Sequence, residues 1–336
     1  MNARQPSQSG LILAAASLAL IATPLPAQAL IFIGSGDPTH NTTDPGNGSG
    51  WQWQIQYENA LATAIAPQYF ITAKHVFQGV GGTIHYEGQA FTTVAAWSSP
   101  TSDLTIMKVD HPFSSWAPLY QGSDEVGKTL TVFGRGTQRG DPVNVAGAST
   151  TTLRGWVWGT PDYQQRWGQN VVSSVEDYTG QRLGRMLSAG FDRISTPGDP
   201  TTAGGLAEEA TLSTGDSGGG VFIQEGGQWK LAGINFGVVN GWRFNQNDST
   251  GFNAAIFDSG GLYLDNLGNI SDAANDIPAN WLSTRISDNL DWINGVIAVP
   301  EPSATSWVLT LIPAFAAVET RRRMALRSAR NAAEKK

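Results

Sequence analysis

Gly215-Asp216-Ser217-Gly218-Gly219 sets a hydroxyl nucleophile among glycines. At average composition a fixed pentapeptide arises at a given position about once in 10⁶ or more rarely. An attacking serine needs its Oγ exposed on a tight turn, with backbone N–H groups converging on the oxyanion that develops. Glycines permit that close approach. Alone, the pentapeptide also suits a glycine-rich turn without chemistry. Upstream, Ile71-Thr72-Ala73-Lys74-His75-Val76 puts a histidine just after an apolar run. A neutral imidazole takes the serine proton and returns it to a leaving group. The other histidines are His40, His85 and His111, and a lone histidine is more often structural. Ser102-Asp103-Leu104-Thr105-Ile106 puts a carboxylate at the mouth of another run, suited to holding the His75 tautomer and stabilising the imidazolium. A lone Asp there is usually a turn residue. Occurring together in the order His, Asp, Ser, the three favour nucleophilic acyl transfer over three unrelated structural roles.

The elements around them read as β structure. Short runs of alternating polarity recur between Gly, Pro, Asn and Asp clusters. Trp51 to Tyr57 alternates strictly. Further strand candidates are Tyr69–Thr72, Gly82–Tyr86, Leu104–Val109, Thr129–Phe133, Gly155–Trp158, Gly220–Gln224 and Lys230–Phe236. The clearest helical period runs from Trp281 to Val296, with Leu282, Ile286, Leu290 and Ile293 on one face. Many short strands and one terminal helix predict an all-β fold of closed antiparallel barrels. The stretches 195–206 and 244–251 read as surface loops, the second as polar turns with a calcium site the rarer alternative.

The order of the three motifs, with their flanks, resembles the trypsin/chymotrypsin-like serine peptidases. The matching pieces are Thr72-Ala73-Lys74-His75, Asp103-Leu104-Thr105-Ile106-Met107-Lys108 and Gly215-Asp216-Ser217-Gly218-Gly219. Softer matches are Thr129–Gly136 as the opening strand of a second barrel, Leu231–Gly237 as the strand lining the primary specificity pocket, and Ser283–Ile293 as the terminal helix. The resemblance implies two antiparallel six-stranded β-barrels with the site in the cleft between them. On the residue scale it implies Ser217 as nucleophile, His75 as base, Asp103 as orienter, and the N–H groups of Gly215 and Ser217 as oxyanion hole. Barrel one is expected at about 30–110, a linker at 111–126, barrel two at 127–282 and the helix at 283–296, within a peptidase domain of 30–299. No metal or organic cofactor is required.

Departures from the family are specific. Where trypsin-like members carry an acidic residue six positions before the nucleophile, this chain has Thr211, so a preference for Arg or Lys at the cleavage site is unsupported. Asn235-Phe236-Gly237 stands where Ser-Trp-Gly is usual, and the substrate backbone is still expected to pair there. The family pairs Asp216 with a freed apolar N-terminus; here Leu30-Ile31-Phe32-Ile33-Gly34 is the candidate to dock beside it. The predicted function is a secreted serine endopeptidase. The alternatives are a protease-like binding module without turnover, disfavoured by an intact triad, and an acyl-ester hydrolase. Against the hydrolase, the chain order is the reverse of the α/β-hydrolases.

The two ends read as sorting segments. Residues 1–29 have a basic start at Arg4, an apolar run Leu11–Ala22 and the small-x-small site Ala27-Gln28-Ala29, which predicts signal cleavage before Leu30. At the other end come Pro300-Glu301-Pro302, an apolar span Ser303–Val318 and Arg321-Arg322-Arg323. This tripartite order resembles the PEP-CTERM sorting signal of Gram-negative bacteria over 300–336. It implies transient inner-membrane anchoring, an exosortase-type enzyme that removes the tail, and a secreted, cell-surface or extracellular-matrix address. Between the ends, residues 30–302 hold 13 basic and 26 acidic residues, a net −13. That balance disfavours nucleic acid as a partner and does not name a substrate; a protein or peptide substrate is what the peptidase resemblance implies. The 336 residues include no cysteine, which excludes disulfides, thiol nucleophiles and zinc–thiolate sites, and only 15% are charged, which argues against disorder.

Overall fold

The computed structural model describes residues 29–298 apart from 47, 148, 195–203, 267 and 274–276. The signal reading up to residue 28, the sorting tail from 300 and most of the 195–206 loop lie outside the described residues. Among the described residues no helix is long and apolar enough to cross a membrane.

A two-residue strand, β1 (Ile31–Phe32), opens the chain. Six strands then close a barrel: β2 (Gln54–Tyr57), β3 (Ala60–Ala66), β4 (Tyr69–Ala73), β5 (Thr83–Tyr86), β6 (Gln89–Ser98) and β7 (Leu104–Val109). Their order is β2-β3-β4-β7-β6-β5, and pairing of Gln56 with His85 closes it. Every residue of β3 is buried, and its small side chains leave room for Phe70, Phe91 and Tyr86 from the facing strands. The alternation read from Trp51 does not begin a strand there. Gly50 has φ +110° and starts a 3₁₀ turn at Trp51–Trp53. This turn lays Trp51 against Phe133 and Trp53 against Phe222 of the other half, so the rings serve the inter-barrel contact.

The second half contains β8 (Thr129–Gly134), β9 (Thr137–Ala146), β10 (Thr151–Pro161), β11 (Arg166–Val171), β12 (Ser174–Tyr178) and β13 (Gly184–Gly190). It continues with β14 (Ala210–Thr211), β15 (Gly220–Glu225), β16 (Gln228–Val238), β17 (Trp242–Arg243) and β18 (Ala254–Ile256). The last strands are β19 (Tyr263–Asn266), β20 (Asn269–Asp272) and β21 (Asn280–Arg285), followed by one helix, α1 (Leu290–Ile297). Seven strands, one more than expected, form its main sheet in the order β11-β8-β15-β16-β21-β13-β12; β9, β10 and β18 form a separate sheet. β1 pairs with β14.

The helical period read from Trp281 fails over its first five residues. Trp281 to Arg285 is strand, paired with β13 on one side and β16 on the other, and helix proper begins at Leu290. Two-sided pairing in a buried sheet overrides local periodicity here. One apolar core joins the halves: Leu61, Ile71 and Leu104 of the barrel meet Phe133, Phe222 and Ile234 of the second half, with Ile286 and Ile293 behind them.

Candidate active site

Pairing of β4 with β7 puts Ala73 opposite Leu104, and so brings His75 and Asp103, 28 positions apart, to one barrel rim. His75 sits in a 3₁₀ turn, Lys74–Val76, whose first N–H donates to the Asp103 carbonyl at 3.1 Å. The Asp103 carboxylate then holds the histidine twice. Oδ1 accepts the His75 backbone N–H at 3.1 Å, and Oδ2 lies 2.7 Å from Nδ1. With Nδ1–H directed at Asp103, Nε2 is left as the acceptor, 2.8 Å from Ser217 Oγ. Asp103 is buried while the imidazole is 39% exposed, so the ring is fixed from behind and open in front. A contact from the turn before α1 steadies the Asp103 loop: Ser102 Oγ donates to Asn289 Oδ1 at 2.8 Å.

Ser217 arrives from the second half on a turn that only glycine permits. Gly215 has φ +97° and Gly218 φ +80°. A Cβ on Gly218 would run into the Leu61 carbonyl and the Thr72 hydroxyl. The turn is tied to both halves. Leu61 N–H donates to the Ser217 carbonyl at 3.4 Å, and Gly218 N–H to the Asn235 carbonyl at 3.0 Å. Among the described residues, the N–H groups of Gly215 and Ser217 donate to no protein acceptor, as donors kept for a ligand oxyanion would.

Asp216 is wholly buried behind Ser217. Its carboxylate accepts Gly136 N–H at 2.7 Å, Ser213 N–H at 2.7 Å and Ser213 Oγ–H at 2.9 Å, and the Leu30 backbone N–H lies near enough to lower its pKa. Burial nevertheless pushes its pKa up to about 6, since no cation faces it among the described residues. Leu30 itself is fully buried, with φ +55°, and leads directly into β1.

The expected pocket residues divide. Phe236 packs its ring edge-on against His75 at 5.5 Å between centroids, and nothing stands within 4 Å of a Cβ built on Gly237, so the space over Gly237 is open. Asn235 is buried and spends its amide on the carbonyls of Phe133 and Asp216. Thr211 is fully buried on β14 opposite Ile31, and the cleft beside Ser217 is not lined by it. Leu212 and Trp281, both 1% exposed, pack in one core with the Val238 of the same strand edge.

The open space lies elsewhere. A cavity of about 650 Å³ adjoins His75, Gly215 and Ser217 and extends over Glu58, Asn59 and Gln78. Sequence reading missed these last three, because a Glu-Asn pair between two strands looks like any polar hairpin turn. It missed Arg135 as well, whose buried guanidinium donates to the carbonyls of Glu58 at 2.8 Å and Tyr163 at 2.8 Å and bolts the two halves together beside the cleft. Among the described residues no cluster of three metal-binding side chains occurs.

No curated protein matches the chain. The family model described as Trypsin matches residues 39–256, well over half of the 336, and spans His75, Asp103 and Ser217. Match and two-halved β architecture agree, and the chain belongs to the trypsin family of serine-protease-type domains.

Proposed function

We propose that the protein is an exported serine endopeptidase that cleaves peptide bonds through an acyl-enzyme on Ser217. The observation carrying this reading is the unbroken path Asp103–His75–Ser217, with contacts of 2.7 and 2.8 Å, facing an open cavity. Ser217 Oγ attacks the scissile carbonyl carbon as His75 Nε2 takes its proton, and Asp103 stabilises the imidazolium. The carbonyl oxygen, now negative, takes hydrogen bonds from Gly215 and Ser217 N–H. The imidazolium returns the proton to the departing amine, leaving the acyl group on Ser217. Water then attacks, deprotonated by His75, and the acid leaves as Ser217 recovers its proton.

The N-terminus is part of this reading. Cleavage before Leu30 would replace a buried amide N–H beside Asp216 with an ammonium, giving the carboxylate its missing counter-charge and setting the Gly215–Ser217 turn. Signal removal would then double as activation. The leader 1–29 and the tail 300–336 are assigned export and PEP-CTERM-type sorting, with an exosortase-type enzyme as partner.

The test is fluorophosphonate labelling of the purified protein beside Ser217→Ala and His75→Ala, followed by peptide and simple-ester hydrolysis. Labelling and peptide cleavage are expected in the parent, with a loss of about 10³-fold or more in each variant. A folded protein that takes no label would point to the binding module, and esters cleaved without peptides would point to the acyl-ester hydrolase.

A further inference from the structure

Glu58 occupies a turn position that L side chains rarely adopt. Tyr57 and Ala60 pair across the β2–β3 hairpin, leaving Glu58 and Asn59 as its two-residue tip, and Glu58 has φ +50°. The tip is also held in place. Arg135, 8% exposed, donates to the Glu58 carbonyl from the second half, and Gln78 N–H donates to Tyr57 Oη at 3.0 Å from the other side. The backbone is pinned while the Glu58 side chain is exposed and makes no ion pair among the described residues. Of the residues lining the 650 Å³ cavity, Glu58 alone is acidic and none is Lys or Arg.

The cavity touches Ser217 and His75 but none of Asn235, Phe236 or Gly237. A substrate whose acyl side follows that strand edge therefore passes its leaving-group side over Glu58. We infer that Glu58 is a specificity-determining residue that selects substrates with a basic side chain within the first three positions after the scissile bond. This rests on the endopeptidase reading above. An acidic surface, net −13 over 30–302, gathers such cationic segments from solution.

The experiment compares peptides with a constant acyl side and Arg, Ala or Glu at each of those three positions. They are offered to the full-length-derived protein and to its Glu58→Gln and Glu58→Lys variants. An exposed charge contact supports an Arg-over-Glu ratio in kcat/KM of about three- to tenfold at low salt, falling in 0.5 M NaCl. Glu58→Gln is expected to bring the ratio to about one and Glu58→Lys to reverse it. Ratios within each variant cancel any general loss of activity. A ratio that persists in Glu58→Gln, or an absence of preference in the parent, overturns the inference. Fluorophosphonate labelling separates this from failure of the endopeptidase reading. If the parent takes no label, binding of free Ala-Arg and Ala-Glu peptides to the Ser217→Ala protein decides the inference alone, and equal affinity overturns it.

Discussion

At the residue scale, Asp216 and Leu30 carry the most consequential contact outside the triad. Burial raises the pKa of the Asp216 carboxylate, which has three hydrogen bonds and no cation facing it among the described residues, to about 6. Its folded pKa lies above the unfolded value of 3.8, so the native state binds the extra proton. That contribution to stability is full below about 3.8 and disappears as pH rises through about 6. A chain that keeps Ala27-Gln28-Ala29 before Leu30 should therefore lose melting temperature from pH 4 to 7 relative to one starting at Leu30. It should also take fluorophosphonate at least ~10-fold more slowly. Equal labelling of the two chains would end the activation idea. The meeting of His75, Asp103 and Ser217 was legible in sequence because each sits in a motif whose residue types and flanks read together. Arg135 was not, since nothing in Gly134-Arg135-Gly136 says that its guanidinium will find two carbonyls from distant turns.

At the element scale, Glu209 does for a loop what Asp216 does for the nucleophile turn. Oε1 accepts Asn170 Nδ2–H of β11 at 2.7 Å and Asp192 N–H at 3.1 Å, and Oε2 accepts Leu206 N–H at 3.1 Å. The side chain thus clamps the two stems of the segment between β13 and β14. Burial raises its pKa to about 8, and raises that of Asp192 beside it. Since the folded value exceeds the unfolded 4.5, the stabilisation is complete below about 4.5 and drains away as pH climbs through about 8. Unfolding free energy should fall by up to ~1.4 kcal/mol per pH unit across that interval. Glu209→Gln should flatten the slope, read from urea midpoints at pH 5, 6.5 and 8; an unchanged slope would refute the assignment. In sequence, Glu208-Glu209 looks like a solvated pair, and only the fold distinguishes them. Strand positions were easier to read than helix bounds because polarity alternation survives in half-buried strands, whereas all-buried β3 has no alternation to see.

At the scale of the whole molecule, a cysteine-free chain must hold its halves by packing and by a few buried polar ties. The strongest is Arg285 at the end of β21, whose fork meets Glu125 in the inter-barrel connection at 2.9 and 2.7 Å, with Ser287 Oγ–H at 2.8 Å on the same carboxylate. Burial alone would raise the Glu125 pKa, but the guanidinium and hydroxyl bring it below the ordinary range. Glu125→Ala strands the guanidinium, with only Asp288 left to it. The expected cost is ~3–5 kcal/mol in denaturant unfolding. A loss under 1 kcal/mol would show that the tie is dispensable. The two-barrel class followed from the motifs, whereas this connection was legible only as a linker.

The shared core also sets the timing of birth. His75 and Asp103 belong to one half, Ser217 to the other, and the Asn289 that steadies the Asp103 loop lies near the end of the described chain. A ribosome completing this polypeptide has finished the imidazole–carboxylate pair long before it makes the serine, and the serine before the brace. No growing fragment carries the assembled centre, so under the proposed endopeptidase function a half-folded chain would have no means of digesting its siblings. On that reading assembly itself is the safety catch, complete once β21 and α1 dock.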